Sequence, residues 1–287
     1  MTLSAQISDP AGDILGVQLL LGGGAVAASQ WEPLRRLQAR FQSPEALRQA
    51  LERKHADGFK SVLALGEPRL LEALGRKRAD NLPVPLPMVP NLRGFMREAV
   101  EYGMIGAGVR RVWRGGVMSL VGLSMRGITQ LGPLKRRDFP TFLRMFIDLE
   151  LAAFSRFSPP VVFLQPQMTD LAVAMNNPRI IEAFQSAVRD RTGAQLGLVT
   201  ANFGRLAASL KSWGFDIAAL IAPWDGGGSR MRPSAEACVR AARACEFPIW
   251  ADRLGFIEPP QPEDREVIRQ AGLNGIVRDD LSLWTNI

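Results

Sequence analysis

The chain has 287 residues, of which 47% are apolar, and it carries a net charge of +7 at pH 7. That length suits one α/β barrel or two small domains, and the apolar fraction excludes wholesale disorder. The basic residues are spread along the chain among 28 acidic ones, and there is a single tyrosine. A nucleic-acid-binding surface combines clustered basic residues with aromatic ones, so no nucleic-acid partner is expected.

The beginning of the chain and its cysteines predict a cytoplasmic protein without a transmembrane segment. Met1–Asp13 is polar and lacks the basic start of a signal peptide. Gly16–Ser29 is uncharged, but it is too short and too rich in glycine to span a bilayer. Cys238 and Cys245 lie seven residues apart in a helical segment, with no spacing typical of a metal site. They are expected to be buried thiols on one helix face.

A predicted helix that ends near a glycine and is followed by an apolar run occurs three times. In each copy the glycine can adopt the left-handed conformation that ends a helix. The apolar run is typical of a parallel strand that is buried on both faces. The repeated unit therefore predicts an alternating β/α architecture. The three copies are Lys54–Pro68, Leu210–Trp224 and Ile268–Asp280.

The same spacing predicts eight strands along the chain, with helices between most of them. Ser43 and Pro44 provide an N-cap and a first-turn proline for one of these helices. Eight strands in this rhythm predict a (β/α)8 barrel formed by residues 1–287, and a doubly wound open parallel sheet is the alternative. In chain order the predicted strands are Leu15–Leu21, Ser61–Gly66, the proline-rich Val84–Val89, Val161–Gln165, Leu196–Ala201, Ile217–Ala222, Pro248–Ala251 and Gly275–Val277.

The segment Asn91–Pro160 is longer than one crossover between strands requires, so it is interpreted as an insertion after the third strand. We expect a helix over Asn91–Arg114, an irregular piece, and a second helix over Phe139–Phe157. A ninth apolar run, Met118–Ser124, competes for a place in the barrel and is assigned to the insertion. The segment holds five of the ten methionines. Such a surface suits a packed subdomain, a homo-oligomer interface, or a lid over a ligand with an apolar tail.

The strand spacing and the final "GLNGIVRDD" (272–280) resemble the aldolase-type (β/α)8, or TIM, barrel superfamily over most of the chain. The resemblance implies that a functional site lies at the carboxyl ends of the strands. It does not imply a reaction, because barrels support many chemistries. The residues at or after the predicted strand ends are Glu67, Asn91, Gln165, Gln167, Asn202, Trp224, Asp225, Asp252, Arg253, Arg278 and Asp279.

The loop Pro223–Ser234, "PWDGGGSRMRPS", follows the sixth strand. Its three consecutive glycines let backbone N–H groups approach a ligand, and the serine and arginine side chains add further donors. It has neither the Walker nor the GxGxxG pattern. The composition predicts a phosphate or carboxylate site, and a flexible surface loop is the alternative. The predicted anion-binding residues are Gly226, Gly227, Gly228, Ser229 and Arg230.

Several catalytic groups are disfavoured by their positions in the sequence. The single histidine, His55, precedes a helix-ending glycine at the end of the barrel opposite the expected site. No lysine follows a predicted strand, as a Schiff-base aldolase would require. Neither cysteine is placed as a nucleophile. Carboxylate chemistry therefore remains.

Three aspartates, Asp225, Asp252 and Asp279, follow consecutive predicted strands, and Glu67 lies further round the rim. Neighbouring carboxylates can bind Mg²⁺, or one can act as a general base if its pKa is raised. The alternative is that they form ion pairs with adjacent arginines.

The first functional hypothesis is a lyase, isomerase or transferase that acts on an anionic small molecule, with or without Mg²⁺. Its catalytic residues would be Asp252, Glu67 and Asp225. Besides the glycine loop, the substrate-binding residues would be Asn91, Gln165, Asn202, Arg253 and Arg278. The second hypothesis is an FMN-dependent oxidoreductase with the FMN phosphate in the glycine loop. The third is a non-catalytic binding or assembly protein that uses the Met/Phe-rich insertion.

Overall fold

Eight parallel strands close into a barrel in sequential order. The computed structural model describes residues 12–21, 31–76, 79–92, 100, 139–254, 256 and 258–285. Because β1 pairs with both β2 and β8, the predicted (β/α)8 barrel is confirmed and the open sheet is wrong. The strands are β1 (Ile14–Gly16), β2 (Ser61–Ala64), β3 (Val84–Val89), β4 (Val161–Leu164), β5 (Gln195–Val199), β6 (Ala219–Pro223), β7 (Ile249–Arg253) and β8 (Gly275–Arg278).

The helices surround the barrel and begin and end at local signals in the sequence. Ser43 accepts a hydrogen bond from the Ala46 amide and caps the second helix. Gly58, Gly214 and Gly272 have φ angles of 107°, 72° and 75°, so each predicted helix–glycine–strand junction contains a left-handed glycine. The helices are α1 (Trp31–Arg40), α2 (Pro44–Ala56), α3 (Pro68–Leu74), α4 (Phe139–Leu151), α5 (Pro166–Ala174), α6 (Arg179–Thr192), α7 (Phe203–Trp213), α8 (Ala235–Arg243), α9 (Pro262–Gln270) and the short α10 (Ser282–Thr285).

The segment predicted as an insertion is described only in part. Its last part forms α4, which packs against α6. The expected continuous helix Phe139–Phe157 is instead divided, because the chain turns after Leu151 and forms a 3-10 turn at Ser155–Phe157 before entering β4. The helix predicted over Asn91–Arg114 and the run Met118–Ser124 lie, apart from 91, 92 and 100, outside the described residues.

The first strand is shorter than predicted. It ends at Gly16, and residues 18–21 form a turn in which the Leu21 amide donates to the Val17 carbonyl at 3.2 Å. The turn brings the Leu19 amide to Asp279 at the end of β8. No helix among the described residues combines the length and the apolar character that crossing a membrane requires.

The barrel interior is filled by apolar side chains that alternate along the strands with side chains facing the helices. Continuing this alternation by two positions places Gln165, Asp252 and Asp279 on the inner face at the carboxyl ends. Arg253 and Arg278 then face the helices. The interior cluster comprises Ile14, Leu63, Leu86, Met88, Val161, Phe163, Val199, Ala219, Ile221, Trp250 and Val277.

Gly197 makes room for the Phe163 ring inside the barrel. A Cβ atom at position 197 would lie 2.6 Å from Phe163 Cδ1 and 2.8 Å from Val161 Cγ1. Overpacking of this kind costs about 1–3 kcal/mol, so we expect Gly197→Ala to lower the free energy of unfolding by that amount in urea denaturation. Gly66→Ala is the control, because its nearest neighbouring atom would lie at an ordinary 3.9 Å. Equal effects of the two substitutions would contradict the packing described here.

Candidate functional site

The glycine loop after β6 folds around the carboxylate of Asp225, which accepts hydrogen bonds from the loop. The amides of Ser229 and Arg230 donate to Oδ2 and Oδ1 of Asp225 at 2.9 and 3.1 Å, and the Ser229 hydroxyl donates to Oδ2 at 2.8 Å. Partial burial alone would raise the pKa of Asp225, but these hydrogen bonds outweigh it and hold the pKa below its ordinary value. Asp225 is therefore an ionised carboxylate that occupies the position predicted for an external anion.

A second carboxylate, Asp264 near the start of α9, binds the loop from the other side. Asp264 is buried and accepts hydrogen bonds from the Gly226 amide at 2.8 Å and from Arg253 Nη1 at 2.8 Å. It also accepts one from the Gln261 amide at 3.2 Å. Sequence reasoning missed Asp264. The signal was its position three residues after Gln261 with Pro262 between them, which is the pattern of a helix start.

Two arginines converge on the ring of Phe256, just after β7. The guanidinium carbons of Arg230 and Arg253 lie 4.5 and 4.4 Å from the ring centroid. Arg253 is nearly buried and forms an ion pair with Asp264. Its Nε is buried and donates to no acceptor among the residues that the structure describes. The side chain of Arg230 is 31% exposed, so of the two it is the one that solvent or a ligand can reach.

Asp252 lies on the inner face at the end of β7, beside Arg230. Its Oδ1 accepts a hydrogen bond from the Leu254 amide at 2.9 Å, and its Oδ2 lies 3.8 Å from Arg230 Nη2. Arg230 Nη1 donates instead to the backbone carbonyl of Asp252 at 3.1 Å. Burial raises the pKa of Asp252, although the Leu254 amide and the Arg230 charge act in the opposite direction. Because 18% of its side chain is still exposed, a substrate can reach this carboxyl.

Asp279, after β8, is fully buried. Burial raises the pKa of Asp279 to about 8. The Leu19 amide, which donates to Oδ2 at 2.7 Å, and the Trp284 side chain both act to lower this pKa, but burial outweighs them. A Cβ at Gly16 would lie only 2.8 Å from the Asp279 Cβ, so the glycine allows this close approach. In this position Asp279 joins the ends of β8 and β1 and does not contact solvent.

The remaining predicted residues lie outside the cluster at β6 and β7. Glu67 is the N-cap of α3 and follows β2, which lies three strands around the closed barrel from β7. The Asn91 backbone amide donates to Glu150 Oε2 of α4 at 2.6 Å, and Asn91 is buried. Gln165 is buried at the start of α5. Arg278 forms ion pairs with Asp280 and Asp13, on the side of the strand that faces the helices.

Asn202 belongs to a separate network at the end of β5. Asp170 of α5 accepts hydrogen bonds from the Thr200 hydroxyl and from the Ala201 amide at 3.0 Å. The Asn202 backbone amide donates to the Thr200 hydroxyl at 2.9 Å, and Asn202 Oδ1 is buried with no donor in the described part of the chain. Burial raises the pKa of Asp170, and its hydrogen bonds act in the opposite direction. Sequence reasoning missed Asp170, because nothing near it along the chain indicates a partner 30 residues away.

The sequence leaves Mg²⁺ binding open and gives FMN as an alternative at this rim. Within the described ranges, three or more histidine, cysteine or acidic side chains do not come together as a metal site would require. An open groove of about 1100 Å³ lies elsewhere, between α6, α7 and α8 near the amino ends of β5 to β7.

The FMN hypothesis relied on free amides in the glycine loop. Four of the five amides from Gly226 to Arg230 already donate within the chain.

No family model, no curated protein and no solved structure matches the chain. The barrel implied by the sequence resemblance is confirmed by the strand topology. Membership of the aldolase-type superfamily stays a prediction. The function is therefore argued from the geometry of the site.

Proposed function

We propose that this protein is an enzyme that binds an anionic small molecule at the ends of β6 and β7 and moves a proton through Asp252. The observation that carries the proposal is the pairing of an accessible carboxyl with an accessible guanidinium. Oδ2 of Asp252 lies 3.8 Å from Arg230 Nη2, beyond hydrogen-bond distance. Because Oδ2 of Asp252 does not accept a hydrogen bond from Arg230, this oxygen is available to take a proton from a substrate.

The chemistry follows from these two groups. Arg230 holds the anionic group of the substrate, and the ionised Asp252 takes a proton from the neighbouring carbon. The C–H bond breaks, the proton moves to Oδ2, and the electron pair spreads onto an adjacent carbonyl or carboxyl group of the substrate. If the proton returns to the opposite face of the same substrate carbon, or to a different substrate atom, the reaction is an isomerisation. If the substrate instead loses a leaving group, the enzyme is a lyase. The raised pKa of Asp252 makes it a stronger base for this step.

The surrounding residues support these positions. Asp225 holds the loop through the Arg230 amide, and Asp264 connects that loop to Arg253 through Gly226. The arginine side chains lie on Phe256, which restricts their orientation. The site is therefore organised before a ligand binds, as efficient proton transfer requires. Roles for Glu67, Asn91, Gln165, Asn202 and Arg278 stay predictions.

The proposal is tested by hydrogen exchange in D₂O, which detects proton transfer whether or not the product has been identified. The protein is incubated with a panel of small carboxylates and phosphate monoesters that carry a C–H group next to a carbonyl or carboxyl. We expect deuterium incorporation into at least one of them, measured by mass spectrometry. Asp252→Asn should reduce the rate by about 10²–10⁴-fold, because it removes the general base. Asp216→Asn, an exposed residue just before β6, is the control and should exchange at the wild-type rate.

Two results would overturn the proposal. Absence of exchange across the panel with folded wild-type protein would remove proton transfer from the site. Full exchange by Asp252→Asn would assign the base to another residue.

A further inference from the structure

We infer that the anion bound by Arg230 is a carboxylate and not a phosphate, an inference that rests on the function proposed above. The first reason is the state of the glycine loop. Phosphate sites of this kind surround the anion with several backbone amides. Here the Gly226 amide donates to Asp264, the Gly228 amide to the Asp225 carbonyl, and the Ser229 and Arg230 amides to the Asp225 carboxylate. A ligand therefore meets side chains in place of amides.

The second reason is the geometry of the available donors. Nη1 of Arg230 donates to the Asp252 carbonyl at 3.1 Å. Nε and Nη2 of Arg230 form one edge of the guanidinium, and neither has an acceptor within hydrogen-bond distance among the described residues. Two parallel N–H groups on one edge match the two oxygens of a planar carboxylate.

The third reason is the local charge. Arg230 and Arg253 contribute two positive charges, and the carboxylates of Asp225 and Asp264 contribute two negative ones. With the ionised Asp252 included, these five groups sum to a net charge of −1 before a ligand binds. A carboxylate adds one negative charge, whereas a phosphate ester adds about −1.5 to −2 next to Asp252. The smaller charge meets less repulsion from Asp252 while that residue is ionised as a base.

The test measures binding of propionate and of inorganic phosphate at constant ionic strength, from the dependence of the unfolding midpoint on ligand concentration. We expect the wild-type protein to bind propionate about tenfold or more tightly than phosphate. Arg230→Gln should weaken propionate binding by about 10- to 100-fold, since a charged bidentate contact is lost. Arg230→Lys keeps the charge but removes the parallel donors, so it should weaken propionate binding while leaving phosphate binding nearly unchanged. Arg179→Gln, a residue at the start of α6, away from this site, is the control.

The outcomes separate this inference from the function on which it rests. If phosphate binds more tightly than propionate and Arg230→Gln abolishes that binding, the carboxylate assignment is wrong and the anion site stands. If Arg230→Gln leaves the binding of both anions unchanged, the anion site is wrong, and the proposed function fails with it. Should Arg230→Gln not fold, Arg230→Lys supplies both comparisons.

Discussion

Asp264→Ala is expected to lower the free energy of unfolding by about 3–5 kcal/mol, because it leaves Arg253 as a buried charge without its partner. The substitution also removes the acceptor for the Gly226 and Gln261 amides. Urea denaturation at pH 7 measures the change. Glu263→Gln, the exposed residue next to Asp264 on α9, is the matched control and should shift the free energy by less than about 0.5 kcal/mol.

A double variant separates the buried charge from the other lost contacts. Asp264→Leu combined with Arg253→Met removes both charges, so it should cost less than Asp264→Ala alone. A loss below about 1 kcal/mol in Asp264→Ala would contradict the buried ion pair.

Asp279→Asn is expected to change how stability depends on pH. The pKa of Asp279 rises from 3.8 to about 8 on folding, so the folded state holds the proton more tightly than the unfolded state. The stability that this provides is complete below about pH 4 and is lost as the pH rises towards 8. At about 1.4 kcal/mol for each pKa unit, the loss reaches at most about 6 kcal/mol. The asparagine variant cannot ionise and keeps an oxygen for the Leu19 amide.

The measurement is a series of urea denaturation curves between pH 5 and pH 9. The wild-type protein should become less stable relative to Asp279→Asn as the pH increases, with the variant the more stable of the two at pH 9. Asp216→Asn removes an exposed carboxyl and should run parallel to the wild type over this range. A constant difference between the wild type and Asp279→Asn would show that Asp279 does not keep its proton in the folded protein.

The barrel could be predicted from the sequence because its signals are local. Gly58, Gly214 and Gly272 end their helices in the left-handed conformation, and each is followed by a buried strand. The first strand is shorter than the prediction, because the apolar run up to Leu21 continues past Gly16. After Gly16 the chain turns, and the Leu19 amide donates to Asp279, a contact across 260 residues that has no local signal.

The site was predictable only in part. The rule that barrel sites lie at strand ends selected Asp252, and the composition of the glycine loop selected Arg230; the structure brings these two residues together. The same rule selected Asn91, which is buried against α4. A strand end specifies which rim a residue occupies, whereas the alternation of side chains decides whether it faces the interior or the helices. The contact of Asp264 with the Gly226 amide could not be predicted, because the two residues lie 38 positions apart on different elements.

The pairing of β1 with β8 joins the first and the last strand of the barrel, so the barrel can close only after β8 has been synthesised. The Leu19–Asp279 contact joins residues 260 positions apart, so it forms only after the chain has been synthesised as far as Asp279. The residues proposed for proton transfer lie on β7 and on the loop that precedes α8, also late in the chain. The first strand therefore keeps one edge unpaired while the rest is made. Until β8 is synthesised, the edge of β1 that pairs with β8 in the barrel lacks its partner strand.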